Sequence, residues 1–175
     1  MFYYNAGRYT MPDKLRLITG SPALTTAYMR RCLVRLAVRA PIRWLICGNY
    51  LDLQLLIYDV ARSAGENYYS VLQDNIAISR AETCYQVVAL LRKTQAAAAP
   101  TFVTDLLLHF YDDKVRDDEV SELFIQGILA LKELCQAGPV IVSASPSTER
   151  TQLYAMLFHN ADRVTRLNGG YDHGS

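Results

Sequence analysis

Several short stretches hold residue types that can do chemistry, and the first is "LRLITGSPALTTAYMRR" at residues 15–31. An apolar run meets Gly20, Ser21 and Pro22, and the Thr25-Thr26 pair then opens a helical pattern. A phosphate-binding loop of the form GxxxxGK[ST] begins this way. It needs glycines so that backbone N–H groups can cradle phosphate, a Lys for the outer phosphates and a hydroxyl for Mg²⁺. Thr25 and Thr26 are the candidate hydroxyls here, but Ala23 or Leu24 stands near the places of the second Gly and the Lys. The loop is also about two residues short of the motif. Two readings stay open: a residual anion site at a helix N-terminus, weak without the Lys, and a plain strand-turn-helix junction.

The ends of other apolar runs carry further candidates. "WLICGNY" places Asn49 where an acidic residue would polarise an attacking water, and Asn cannot take a proton in that role. "PTFVTDLLLHFYDD" places Asp105 at the end of an apolar run, the setting of an Asp that holds Mg²⁺ through water. Asp105 suits a turn cap or an Arg partner equally well. "PVIVSASP" ends in Ser143 and Ser145, hydroxyls with no strong catalytic direction. His109 and His159 have no nucleophile at a recognisable spacing and no GxSxG is present, so both read as hydrogen-bonded structural histidines. Cys32, Cys47, Cys84 and Cys135 form no CxxC or Cys/His cluster and read as buried free thiols of a reducing compartment.

Charge adds one more pattern. The formal net charge of +1 argues against a global field for nucleic acid or anionic membrane, so such a partner would have to meet a local patch. In "YMRRCLVRLAVRAPIR", Arg31, Arg35 and Arg39 recur every fourth residue and stack along one helix face. The stripe can track a phosphate backbone, or it can be a solvated face paired with the acids of "DDKVRDDEVSE". Tyrosines in "MFYYNAGRY" and "ENYYSV" can stack bases or fill a protein interface.

These residues need elements to position them. Short Ile/Val/Leu-rich runs predict strands over 15–20, 42–48, 75–79, 100–108, 139–145 and 163–167. Helical patterns predict helices over about 25–40, 51–64, 81–97, 118–136 and 147–158, with Ser79 and Gly138 as caps of the third and fourth. Alternation of this kind implies βαβ units: an α/β fold in three layers, a mainly parallel central sheet with helices on both faces. Ligands of such sheets bind at the carboxyl ends of the strands, where the candidates above fall.

A chain of 175 residues suits one domain, placed at 14–168 between an N-terminal arm at 1–13 and a frayed tail at 169–175. No signal peptide and no apolar run of ~20 residues is found, which predicts a soluble protein of the cytoplasm or nucleus with no membrane partner.

The order of segments from Leu15 to Leu167 resembles the ATPase core of RecA-like recombinases, in particular the archaeal and eukaryotic strand-exchange proteins and their paralogues. The most specific piece is "VLQDNIAISRA" within residues 45–93, followed by the "Q-V-LL" pattern of the next helix. "TFVTDLLLHFYDD" resembles the family's Walker B strand, with Asp105 in the Asp position. "LKELCQAGPVIVSAS" and "NADRVTRL" resemble its penultimate helix with the following strand, and the closing strand. The resemblance implies a RecA-like P-loop NTPase fold.

The departures are equally specific. The family's P-loop Lys, its catalytic Glu and its coupling Gln correspond here to Leu24 or Thr25, Asn49 and Ser145. Only 146–160 lies where the family carries a long DNA-binding loop, and the family's separate N-terminal domain has no counterpart. The resemblance thus implies a degenerate member that does not hydrolyse ATP and needs no cofactor. It would act in DNA recombination or repair through DNA contacts at Arg31, Arg35 and Arg39, and through a RecA-like subunit or a second copy of itself. The alternatives are an ATPase holding Mg-ATP weakly through Thr25, Thr26 and Asp105, and a structural or signalling module of the same fold.

Overall fold

The structure is a computed structural model that describes residues 14–49 and 51–168. The arm expected at 1–13, with its "MFYYNAGRY" tyrosines, and the tail expected at 169–175 lie outside the described residues. Six strands form: β1 (Leu15–Gly20), β2 (Ile42–Ile46), β3 (Ile76–Arg80), β4 (Thr101–Thr104), β5 (Val140–Ala144) and β6 (Arg163–Leu167). The main helices are α1 (Pro22–Ala37), α2 (Leu53–Ala64), α3 (Cys84–Lys93), α4 (Asp117–Leu134) and α5 (Thr151–Asn160). Short helical turns at Gly65–Asn67, Tyr68–Ser70 and Val71–Asn75 lead from α2 into β3, and another at Leu108–Tyr111 follows β4.

The strands make one sheet in the order β3-β2-β4-β5-β1-β6, and every pairing is parallel. Strands of a sheet covered on both faces present apolar residues on both, and side chains alternate between those faces. Leu15, Leu17, Leu45, Val103, Val140 and Val142 pack on one face with α3, α4 and α5. Ile18, Ile42, Trp44, Ile46, Phe102 and Ile141 pack on the other with α1 and α2. Crossover direction explains this division. The connections through α1 and α2 run one way along the sheet, those through α3, α4 and α5 run the other, and right-handed crossovers of opposite direction put their helices on opposite faces. The result is the expected three-layer α/β architecture. No helix among the described residues is long and apolar enough to cross a membrane.

Several boundaries and both expected caps differ from the sequence reading. Thr83, not Ser79, caps α3, its side chain accepting from the Gln86 N–H, because Ser79 is still paired within β3. α4 ends at Leu134 with Cys135 as its cap. Gly138 lies beyond, packed against the carbonyls of Ala97 and Ala98. β4 stops at Thr104 rather than continuing to residue 108, because Asp105 adopts φ +56° and turns the chain out of the sheet. α5 begins at Thr151, four residues later than expected, after Arg150 in the left-handed region. α1 begins at Pro22, three residues earlier than expected, since Pro suits a first helical turn.

The segment after β4 is anchored by Phe110, whose ring meets Phe124 of α4 edge to face, centroids 5.1 Å apart and planes at 73°. Both rings are fully buried. Phe124→Ala is expected to lower unfolding stability by about 3–5 kcal/mol in urea titrations, through lost burial and the cavity left behind. Leu129→Ala, on the exposed side of the same helix, should change it by no more than about 0.5 kcal/mol.

Candidate functional site

The junction of β1 and α1 is the first component. Ser21 alone separates the strand from the helix. A phosphate-cradling loop has several residues of freely oriented backbone at this point. Here Pro22 occupies the first helical position and offers no N–H. Gly20 is fixed by a neighbouring strand, because a Cβ on it would lie 2.7 Å from the Leu167 carbonyl oxygen. Helix register then separates the two threonines. Thr25 is fully buried and its hydroxyl donates to the carbonyls of Ser21 and Pro22, at 3.3 and 3.1 Å. That sets Thr25 apart from the open site: it is fully buried and borders neither hollow at the sheet's carboxyl end. Thr26 is exposed and lines the space above the sheet.

Asp105 is the second component. Its N–H donates to Ser143 Oγ at 3.0 Å, which ties the end of β4 to β5. Its carboxylate lies against Gly48, where a Cβ would come within 2.4 Å of Oδ2. No described residue donates a hydrogen bond to that carboxylate, and neither the turn cap nor the Arg partner read from sequence is present. Burial raises its pKa above the ordinary carboxylate value. Burial, with a lesser contribution from the Asp105 charge, pushes the Cys47 thiol up to about 12, so Cys47 is no nucleophile. All four cysteines are free.

Asp105 separates two hollows at the carboxyl ends of the strands. The inner one lies between α1, α2 and the sheet, with Thr26, Trp44, Thr104, Asp105 and Ser143 in its wall. Trp44 Nε1 donates to Thr104 Oγ1 at 3.0 Å, and Arg30 beside it is bound to Asp59 at 2.6 Å. The outer hollow brings Thr26, Asn49, Asp105, Tyr111 and Ser145 together. Three of the positions singled out in sequence, Asn49, Asp105 and Ser145, thus converge with Thr26. Asn49 also accepts, through its carbonyl, from Arg80 Nη2 at 2.9 Å.

The outer wall depends on a residue the sequence reading missed. Arg150, whose side chain is 10% exposed, donates to the carbonyls of Phe110, Asp112 and Val115 and to the Asp117 carboxylate. It binds the whole β4–α4 connection to the start of α5, and Tyr111 adds a bond from its hydroxyl to the Ser145 carbonyl at 3.2 Å. No local sequence signal marks an Arg that satisfies carbonyls some 35–40 positions away. The histidine expectation is half corrected. His159 Nδ1 is within 2.6 Å of the Ala155 carbonyl, but His109 Nε2 is buried with no partner among the described residues.

The arginine stripe occupies a separate surface. Of the five arginines between Arg30 and Arg43, Arg30 pairs with Asp59 and Arg43 donates to the Gln95 carbonyl and the Thr101 hydroxyl. Arg31, Arg35 and Arg39 are exposed and have no hydrogen bond or ion pair among the described residues. Arg39 lies in the turn just beyond α1. The acidic run proposed as their partner leads into α4 on the opposite face of the sheet, where Arg116 and Arg150 meet Asp118 and Asp117. That pairing is excluded by the layer arrangement.

No family model matches the chain, and no curated protein matches it in sequence.

Asp105 and Gly48 generate predictions of opposite sign. Gly48→Ala should lower the thermal midpoint, because its methyl group and the Asp105 carboxylate need the same space. Asp105→Asn should raise it at pH 7, since Asn accepts the left-handed backbone and carries no desolvated charge. A raised folded-state pKa means that the charge penalty is present above that pKa and relieved as pH falls through it. The Asn advantage should therefore shrink on acidification, read from melting curves at successive pH values.

Proposed function

We propose that this protein is a RecA-like binding subunit of DNA recombination or repair that does not turn over ATP. The observation that carries the reading is the set Arg31, Arg35 and Arg39, exposed and unpaired among the described residues at one-turn spacing. Guanidinium groups so spaced suit successive phosphates of a nucleic-acid strand, and nothing within the described fold competes for them. The lack of turnover rests on the β1–α1 junction. With Ser21 as the only connecting residue, Pro22 at the first helical position, no Lys and Asn49 in place of an acid, the sheet end lacks the groups that hold and activate a triphosphate. The partner on this reading is a RecA-like subunit or a second copy of the chain, and the compartment is the cytoplasm or nucleus.

One observation favours a second reading. Thr26 and Asp105 share both hollows, as the Mg²⁺-holding hydroxyl and Asp of a P-loop NTPase share one site. Weak Mg-ATP binding is the form this would take. Calorimetry with millimolar Mg-ATP tests it, and absence of heat removes it.

Filter binding across a salt series tests the principal reading. Single- or double-stranded DNA should be retained at low salt, alone or with a partner subunit. Replacing Arg31, Arg35 and Arg39 together by Ala should weaken binding to any sequence alike, and should reduce the slope of log K against log salt on duplex DNA by about 3. An unchanged slope, or no retention of either form at low salt, would sink the DNA assignment.

A further inference from the structure

The Asp105 carboxylate is a group the fold goes to some length to place and leaves uncompensated. Its backbone is held in the left-handed region, where most side chains are disfavoured. The Ser143 hydroxyl fixes its N–H, and Gly48 supplies the clearance its oxygen needs. Structural carboxylates in such positions repay the arrangement by capping a helix or pairing with a cation. Among the described residues Asp105 does neither.

The surroundings define the complementary ligand. Met29, Trp44, Leu51 and Leu55 give the inner hollow an apolar wall, while Thr26 and Ser143 add neutral hydroxyls. Arg30, the cation in that wall, is committed to Asp59, and Asp52 is occupied as the N-cap of α2 by the Leu55 N–H. An anionic headgroup would meet the Asp105 charge. The cavity against the inner face of the carboxylate is about 70 Å³ and is partly open to solvent, room for a small headgroup and well below the size of a drug-sized ligand site.

From this arrangement we infer that the hollow at Asp105 is a receptor for a single guanidinium or ammonium group carried on a short apolar stem. The Asp105 carboxylate receives the charged N–H donors, Thr26 and Ser143 border the headgroup, and the stem lies along Trp44 and Met29. Two sources share this chemistry: a free alkylguanidine or alkylamine, and an Arg or Lys side chain of a partner chain. The site is independent of the arginine stripe on the exposed face of α1.

Trp44, the single tryptophan of the chain, lines the hollow and reports on its occupancy. Its emission is followed during titration with n-butylguanidine, n-butylamine, n-butylurea and butyrate, then with a blocked tripeptide with a central arginine and its citrulline counterpart. At least one cationic probe should give a saturable change that its neutral counterpart and butyrate do not give. Asp105→Asn should weaken that response by about tenfold or more while leaving DNA retention on filters unchanged. A response to n-butylguanidine or n-butylamine assigns a free ligand, and a response to the arginine peptide alone assigns a partner side chain. Equal responses to charged and neutral probes overturn the inference, and this comparison needs no variant. Saturable binding of Mg-ATP without any response to the cations also overturns it, in favour of the nucleotide reading.

Discussion

The end of β4 meets the end of β2 at one close contact, the Asp105 carboxylate against Gly48, and the arrangement of the sheet's carboxyl edge follows from it. A side chain at position 48 would have to displace the carboxylate or the strand that carries it. With the contact in place, β4 ends sharply, the backbone reverses through φ +56°, and the following segment turns down so that Leu106, Leu107 and Phe110 are buried with α3 and α4. The Ser143 hydroxyl completes the constraint from β5. Three strands far apart in sequence thereby agree on the position of one ionised group.

That group is costly to stability. Burial disfavours its charge, and no described donor offsets the cost. The neighbouring interactions show how the fold treats polar groups that serve only structure. Arg150, whose side chain is largely enclosed, is satisfied by three carbonyls and a carboxylate, and Thr25 gives its proton to its own helix. The contrast separates Asp105 from the rest of the interior. A half-buried carboxylate with a raised pKa, a left-handed backbone and an adjoining hollow is where binding chemistry concentrates.

The two faces of the sheet separate two kinds of surface. Right-handed crossovers running in opposite directions place α1 and α2 on one face and α3, α4 and α5 on the other. The acidic approach to α4 therefore stays with Arg116 and Arg150, and the arginines of α1 keep their outward side to themselves. The N-terminal end of the same helix borders the Asp105 hollow. One helix thus joins a basic exposed stripe to an acidic recess, and the two features suit ligands of opposite charge.

The sequence by itself determined the elements and the class of fold. Strand and helix signals are short apolar runs and a 3.6-residue periodicity carried by near neighbours, so β1 and β6 coincide with the runs "LRLITG" and "RVTRL", and the alternation of strands with helices implied a parallel sheet with helices on both faces. It also brought Asn49, Asp105 and Ser145 under suspicion together, because each ends an apolar run and parallel strands gather such ends on one edge. What the tertiary structure alone decided is how each candidate is satisfied. Helix register, offset by an early start at Pro22, buried Thr25 and exposed Thr26. Crossover direction removed the acids expected beside Arg31, Arg35 and Arg39. Strand order brought Gly48 and Ser143 to Asp105 and, among the described residues, brought no cation. Hydrogen-bond and ion partners are set by which distant segments the sheet makes adjacent, and no local pattern of residues encodes that adjacency.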